Sequence, residues 1–194
     1  MLIVGLTGSI GMGKTTTAEM FRGAGLPVHD ADLAVHRLYS GRAIGPVRRL
    51  FPKAVRDGVV DRALLAERVL GDPAALAALE AAVHPMVRHE EALFLRDADR
   101  AGYRAAVLDI PLLLESGSAD RVDVIAVVSA DPSLQRARVL ARAGMTENRL
   151  AAISARQMPD VEKRRHAHFV IWTNTMASAR FGVDALLRSL AGAC

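Results

Sequence analysis

Residues Gly8 to Thr15 read Gly-Ser-Ile-Gly-Met-Gly-Lys-Thr, a complete G-x-x-x-x-G-K-[ST] pattern directly after the apolar run Leu2-Ile3-Val4-Gly5-Leu6. A loop of this kind turns its backbone N–H groups inward around a polyphosphate, and glycines at 8, 11 and 13 relieve the steric cost of that turn. Lys14 adds a point charge. A helix starting near Lys14 aims its positive dipole end at the same anion, and the Thr15 hydroxyl is placed to ligate the Mg2+ that the phosphates carry. The pattern therefore predicts a strand, a phosphate loop and a helix in succession, with a nucleoside triphosphate held at their junction.

The rest of the chain fits around that unit. Short β-like runs at Leu2–Thr7, Pro27–His29, Arg104–Ile110, Val122–Ser129 and Phe169–Thr173 alternate with helical stretches. That order argues for an α/β fold with a parallel five-stranded sheet flanked by helices on both faces. Roughly seventy residues between the second and third runs show no convincing strand. Asp61–Leu70 and Asp72–Arg100 have helical spacing there, with Leu64, Leu65 and Val69 on one side of the first, and Asp72 before Pro73 reads as a helix cap. This stretch predicts a mostly helical insertion beside the nucleotide core.

At 194 residues the chain can bury one sizeable core. No run of about 18 uncharged apolar residues occurs, so no membrane span is expected, and the opening Met-Leu-Ile-Val-Gly-Leu belongs to the first strand rather than to a signal peptide. The single cysteine, Cys194, cannot form an internal disulfide, which points to a reducing, cytoplasmic setting. A net charge of +4, mostly from arginine, suits polyanionic small molecules. Nucleic acid is the weaker partner, because five Phe, two Tyr and one Trp leave few stacking platforms and no basic patch is interleaved with aromatics.

Three groups carry candidate chemistry beyond the loop. Asp30 and Asp32 follow the second run, where strand C-termini of a parallel sheet gather in one crevice. Either carboxylate there can accept or orient an acceptor hydroxyl, and either can instead cap the following helix. Asp109 closes an apolar strand as a magnesium-binding carboxylate does, usually through water, although plain strand termination gives the same pattern. Arg136, Arg138, Arg142, Arg149 and Arg156 lie on two helical stretches broken near Gly144; they suit either a phosphoryl-transfer lid or solvated helix faces, with Arg142 beside the break favoured for the lid.

Taken together, Thr7-Gly8-Ser9-Ile10-Gly11-Met12-Gly13-Lys14-Thr15-Thr16, Val28-His29-Asp30-Ala31-Asp32, His84-Pro85, Pro111-Leu112-Leu113-Leu114-Glu115-Ser116-Gly117 and Arg156-Gln157-Met158 resemble the dephospho-coenzyme A kinase family, from Leu2 to about Ile171. The resemblance implies an ATP-dependent phosphotransferase that phosphorylates the ribose 3′-hydroxyl of dephospho-coenzyme A, the last step of coenzyme A synthesis, with ATP as co-substrate and Mg2+. It implies a P-loop NTPase core at about 1–32, 103–135 and 166–194, a helical acceptor-binding insertion at about 33–102 and a helical lid at about 136–165. Carried over by position, Gly11, Met12, Gly13, Lys14, Thr15 and Thr16 hold ATP, while Lys14 and Arg142 stabilise transferring charge. Asp32 is the base or orienting group; Asp32, His84, Arg88 and Glu115 contact the acceptor; Thr15 and Asp109 serve the metal. For His84, a structured turn before Pro85 competes with substrate contact, since an X-Pro step restricts the preceding residue. The resemblance leaves the assembly as a monomer or weak homo-oligomer. Two other readings fit the core motif: a kinase for a nucleoside or sugar, and a nucleotide-gated switch with no acceptor, against which the absence of an Asn-Lys-x-Asp motif argues.

Overall fold

The computed structural model describes residues 1–192, so Cys194 lies outside the described residues. They form seven strands and nine helices, grouped in two compact units: one made of residues 1–29 and 98–192, the other of residues 30–97.

The first unit is built on the sheet formed by β1 (Leu2–Thr7), β2 (Val28–Asp30), β5 (Ala105–Asp109), β6 (Val124–Ser129) and β7 (Phe169–Trp172), in the order β2-β5-β1-β6-β7. β1 pairs in parallel with β5 and with β6, and β6 in parallel with β7. The strands read as nearly continuous apolar runs because both faces are covered. On β6, Ala126 and Val128 join Val4, Leu6, Val107 and Ile171 on the face covered by α1 (Lys14–Gly23) and α9 (Met176–Gly192), where Phe21, Val183 and Leu186 complete the core. Ile125 and Val127 point the other way, to Leu113. The register places Leu6 beside Asp109, so the end of β5 lies next to the point where β1 runs into the phosphate loop. Three further helices complete this unit: α6 (Pro132–Leu140), α7 (Glu147–Ser154) and α8 (Asp160–Arg165). No helix among the described residues is long and apolar enough to cross a membrane.

The second unit contains α2 (Ala31–Tyr39), α3 (Ile44–Leu50), β3 (Val55–Arg56), β4 (Val59–Val60), α4 (Arg62–Val69) and most of α5 (Pro73–Arg100). Its core joins Leu38, Val47, Val60, Leu65, Leu79 and Val83, with Leu64 and Val69 packed against it. Asp61 caps α4 by accepting from Ala63 N and Leu64 N, and Asp72 caps α5 by accepting from Ala74 N and Ala75 N. Two expectations need correction. The stretch does hold strands, the two-residue β3 and β4, joined by Asp57-Gly58 with φ of 47° and 78°, the hairpin turn that an Asp-Gly pair favours. His84 starts no turn: α5 continues through Pro85. An interior proline costs a helix about 3 kcal/mol, and packing of Val83, Met86 and Val87 around that position offsets it.

Candidate active site

The phosphate loop takes its shape from its glycines and from what packs beneath them. Gly11 and Gly13 adopt left-handed φ values of 79° and 88°, which a side chain would strain. Gly8 is needed for a different reason: a Cβ there would stand 2.3 Å from Val128 Cγ2 and 2.8 Å from the Val128 carbonyl. The Ser9 carbonyl accepts from Met12 N at 3.1 Å, closing a tight turn over Ile10 and Gly11. Met12 points into the core and is 2 % exposed, so it leaves the loop's interior open. Helix α1 then starts at Lys14 with no side-chain cap, which leaves its first N–H groups available to an anion. Thr15 and Thr16 are exposed in that first turn.

Lys14 Nζ lies 2.5 Å from Asp109 Oδ1, with the Asp109 carboxylate buried at the end of β5. The sheet register makes this pairing, since β5 ends beside the strand that feeds the loop. Asp109 and the Thr15 hydroxyl are oxygen donors of the kind a hard divalent cation takes. No cluster of three or more His, Cys, Asp or Glu that could cage an ion occurs among the described residues. That donor set fits Mg2+, which keeps several waters and binds through one or two carboxylates together with substrate phosphates.

The arginine series separates into two kinds. Arg138 donates to the Thr173 carbonyl at 2.6 Å and to its hydroxyl at 3.2 Å, and Thr173 Oγ1 donates to the Met12 carbonyl at 2.7 Å, so this arginine braces the loop from behind. Arg136 pairs with Glu147, linking α6 to α7, and Arg149 donates to the Gly144 carbonyl. Arg142 and Arg156 are exposed, and their side chains make no hydrogen bond or ion pair among the described residues. Arg142 and Arg156 do not lie on the two helical stretches expected to carry the series. α6 ends at Leu140, before Arg142, and α7 ends at Ser154, before Arg156. The break comes where Gly144 turns at φ 74°.

Glu115 Oε1 lies 2.7 Å from Lys163 Nζ and accepts from Met158 N at 2.9 Å. Burial pushes the Glu115 carboxyl up, but the Lys163 ammonium together with the Met158 N–H and its own N–H outweighs this and holds it below the ordinary carboxylate value. Lys163 is fully buried.

The remaining expected residues belong to the other unit. Asp30 is the N-cap of α2, its Oδ1 accepting from Leu33 N at 2.9 Å, which realises the capping reading for that carboxylate. Asp32 sits in the first turn of α2, exposed, its carboxylate with no hydrogen bond or ion pair among the described residues. His84 and Arg88 are four residues apart on α5 and both exposed, so they share one helix face.

Residues 2–178 match the family model described as dephospho-CoA kinase. The chain belongs to the dephospho-CoA kinase family. It is 58% identical to a dephospho-CoA kinase of Mesorhizobium japonicum over 193 residues, covering 99% of this chain and 98% of that one. A crystal structure from Thermus thermophilus superimposes with a TM-score of 0.86 at 37% identity, covering 98% of this chain and 97% of its own. A dephospho-CoA kinase structure from Campylobacter jejuni shares the fold, with a TM-score of 0.66 at 22% identity over 97% of this chain and 96% of its own.

Several residues around this family's loop escaped the reading of the sequence. Gln135 and Gln157 both bond to Ile10, Thr173 supports Met12, and Lys163 pairs with Glu115. Gln157 and Glu115 lay inside quoted motifs, which was a usable signal. Lys163 lies in Glu162-Lys163-Arg164-Arg165, a run that reads as a solvated face, because lysine is almost never fully buried.

Proposed function

We propose that this chain transfers the γ-phosphoryl group of ATP to the ribose 3′-hydroxyl of dephospho-coenzyme A, giving coenzyme A and ADP. One observation carries the reading: a family match to dephospho-CoA kinase over residues 2–178, on a chain whose phosphate loop keeps Lys14 beside Asp109.

The backbone N–H groups from Gly11 to Thr16 bind the phosphates, and Lys14 stabilises charge on the transferring group. Thr15 and Asp109 hold the metal. Bound Mg2+ neutralises charge spread over the phosphate oxygens. Asp32 orients the acceptor hydroxyl and takes its proton. Two features support that role: Asp30 is already committed to capping α2, and Asp32 lies two residues past the last residue of β2, and parallel sheets build their ligand crevices beyond strand C-termini. His84 and Arg88 contact the acceptor, which as a pyrophosphate-bearing nucleotide matches a cationic face. Residues 136–165 act as the lid and Arg142, whose side chain has no partner among the described residues, meets the phosphates on closure. The enzyme works in the cytoplasm as a monomer or weak homo-oligomer.

An acceptor panel tests the reading. With ATP and Mg2+, dephospho-coenzyme A should support ADP release far better than nucleosides, shikimate or gluconate. Turnover that no acceptor alters would favour a nucleotide-gated switch instead.

A further inference from the structure

Ile10 is gripped by side chains on both of its peptide groups. Its N–H donates to Gln157 Oε1 at 3.0 Å, and its carbonyl accepts from Gln135 Nε2 at 2.8 Å. Ile10 is the second residue of the turn closed by the Ser9–Met12 hydrogen bond, and Gly11 is the third, with φ of 79°. A positive φ at the third position is the mark of a type II turn, which differs from type I chiefly by a flip of the central peptide. The central peptide here joins Ile10 to Gly11. A trans peptide points its C=O and N–H in opposite directions, so a carbonyl held by Gln135 keeps the Gly11 N–H turned away from α6. The close approach of α6 also restricts the turn: a Cβ on Gly11 would stand 2.5 Å from Val139 Cγ2 and 3.0 Å from the Gln135 carbonyl.

Gln157 needs its own support, since it lies beyond the end of α7, outside any helix. That support is next in sequence. Met158 N donates to Glu115 Oε1, and the same oxygen meets the fully buried Lys163 of α8. Glu115 Oε2 is buried too and has no hydrogen bond among the described residues. A partly buried carboxylate paired with a buried ammonium and with the backbone beside Gln157 is placed as a brace.

We propose that Gln135 and Gln157 are positioning residues that hold the turn at Ile10 in the conformation presenting the Gly11 N–H to a phosphate, and that Glu115 keeps Gln157 in place. The inference rests on the reading of Gly8–Thr15 as an ATP cradle. It links both ends of the segment from α6 to α8 to the two peptide groups of Ile10, so any movement of that segment is felt where phosphate binds.

The test uses the full chain, with ADP affinity and steady-state kinetics for ATP as readouts. Gln157→Met removes the acceptor at nearly constant volume; it should raise the ADP Kd and the KM for ATP about five- to tenfold, the size of one hydrogen bond, with kcat within about threefold. Gln157→Glu keeps an acceptor oxygen and should stay within about twofold of the parent. Gln135→Met should weaken ADP binding as Gln157→Met does. In the double variant Glu115→Ala with Gln157→Met, the second substitution should add less than about twofold, because both act through one contact. An unchanged ADP Kd in Gln157→Met, equal damage in Gln157→Glu, or additive losses in the double variant would each overturn the proposal. Since ADP binding needs no acceptor, these results stand even if dephospho-coenzyme A proves to be the wrong substrate.

Discussion

Asp32 and Asp30 sit two residues apart yet separate cleanly by what their carboxylates touch. Asp30 caps α2, so Asp30→Ala should lower the unfolding free energy by about 1 kcal/mol and leave kcat nearly intact, which denaturant melts and kinetics read together. Asp32 makes no cap, so Asp32→Asn should fold normally. Its kcat should fall at least about a hundredfold while the ATP affinity holds, the signature of a lost general base. Activity within a few-fold of the parent would remove Asp32 from the chemistry. Lys14→Ala should weaken nucleotide binding and turnover together, and it also removes the ion pair with Asp109. Intact nucleotide affinity there would contradict the phosphate contact.

Elements set the limits within which those side chains act. Glu115 ties the loop after β5 to the segment entering α8, and its carboxyl is held below the ordinary value. A depressed carboxyl contributes stability that is present above the unfolded-state pKa, about 4.3, and lost as pH falls through the lower folded value. The brace is therefore intact at neutral pH. The parent should lose stability on acidification below about pH 4 more steeply than Glu115→Gln, as paired melts over that range would show. The same elements explain what could be read in advance. The phosphate loop and the caps Asp61 and Asp72 are local, since each needs only residues within a few positions. The Asp57-Gly58 hairpin was also local, and its pair of left-handed residues was the overlooked sign. Lys163, Thr173 and Gln135 were not legible, because their partners Glu115, Met12 and Ile10 lie 48, 161 and 125 residues away, and only the folded chain brings them together. Helix ends failed for the arginines: α6 stops at Leu140, ahead of both Arg142 and Gly144, and α7 stops at Ser154, ahead of Arg156.

For the whole molecule, a chain that binds nucleotide only when folded must be stabilised by it. At a hundredfold excess over Kd, ADP should add about 2.7 kcal/mol, a rise in Tm of about 5–10 °C for a chain of this length. Lys14→Ala should lose most of that rise at the same ADP concentration, and a full shift in the variant would mean that the nucleotide binds elsewhere. The central claim joins this nucleotide site to one acceptor position. Product analysis tests it directly: purified chain with ATP, Mg2+ and dephospho-coenzyme A, followed by mass and phosphorus NMR of the product. Coenzyme A carrying one new phosphoryl group on the ribose 3′ oxygen, in step with ADP, is the expected result. ADP accumulating with dephospho-coenzyme A unchanged, or a phosphoryl group at any other position, would contradict it.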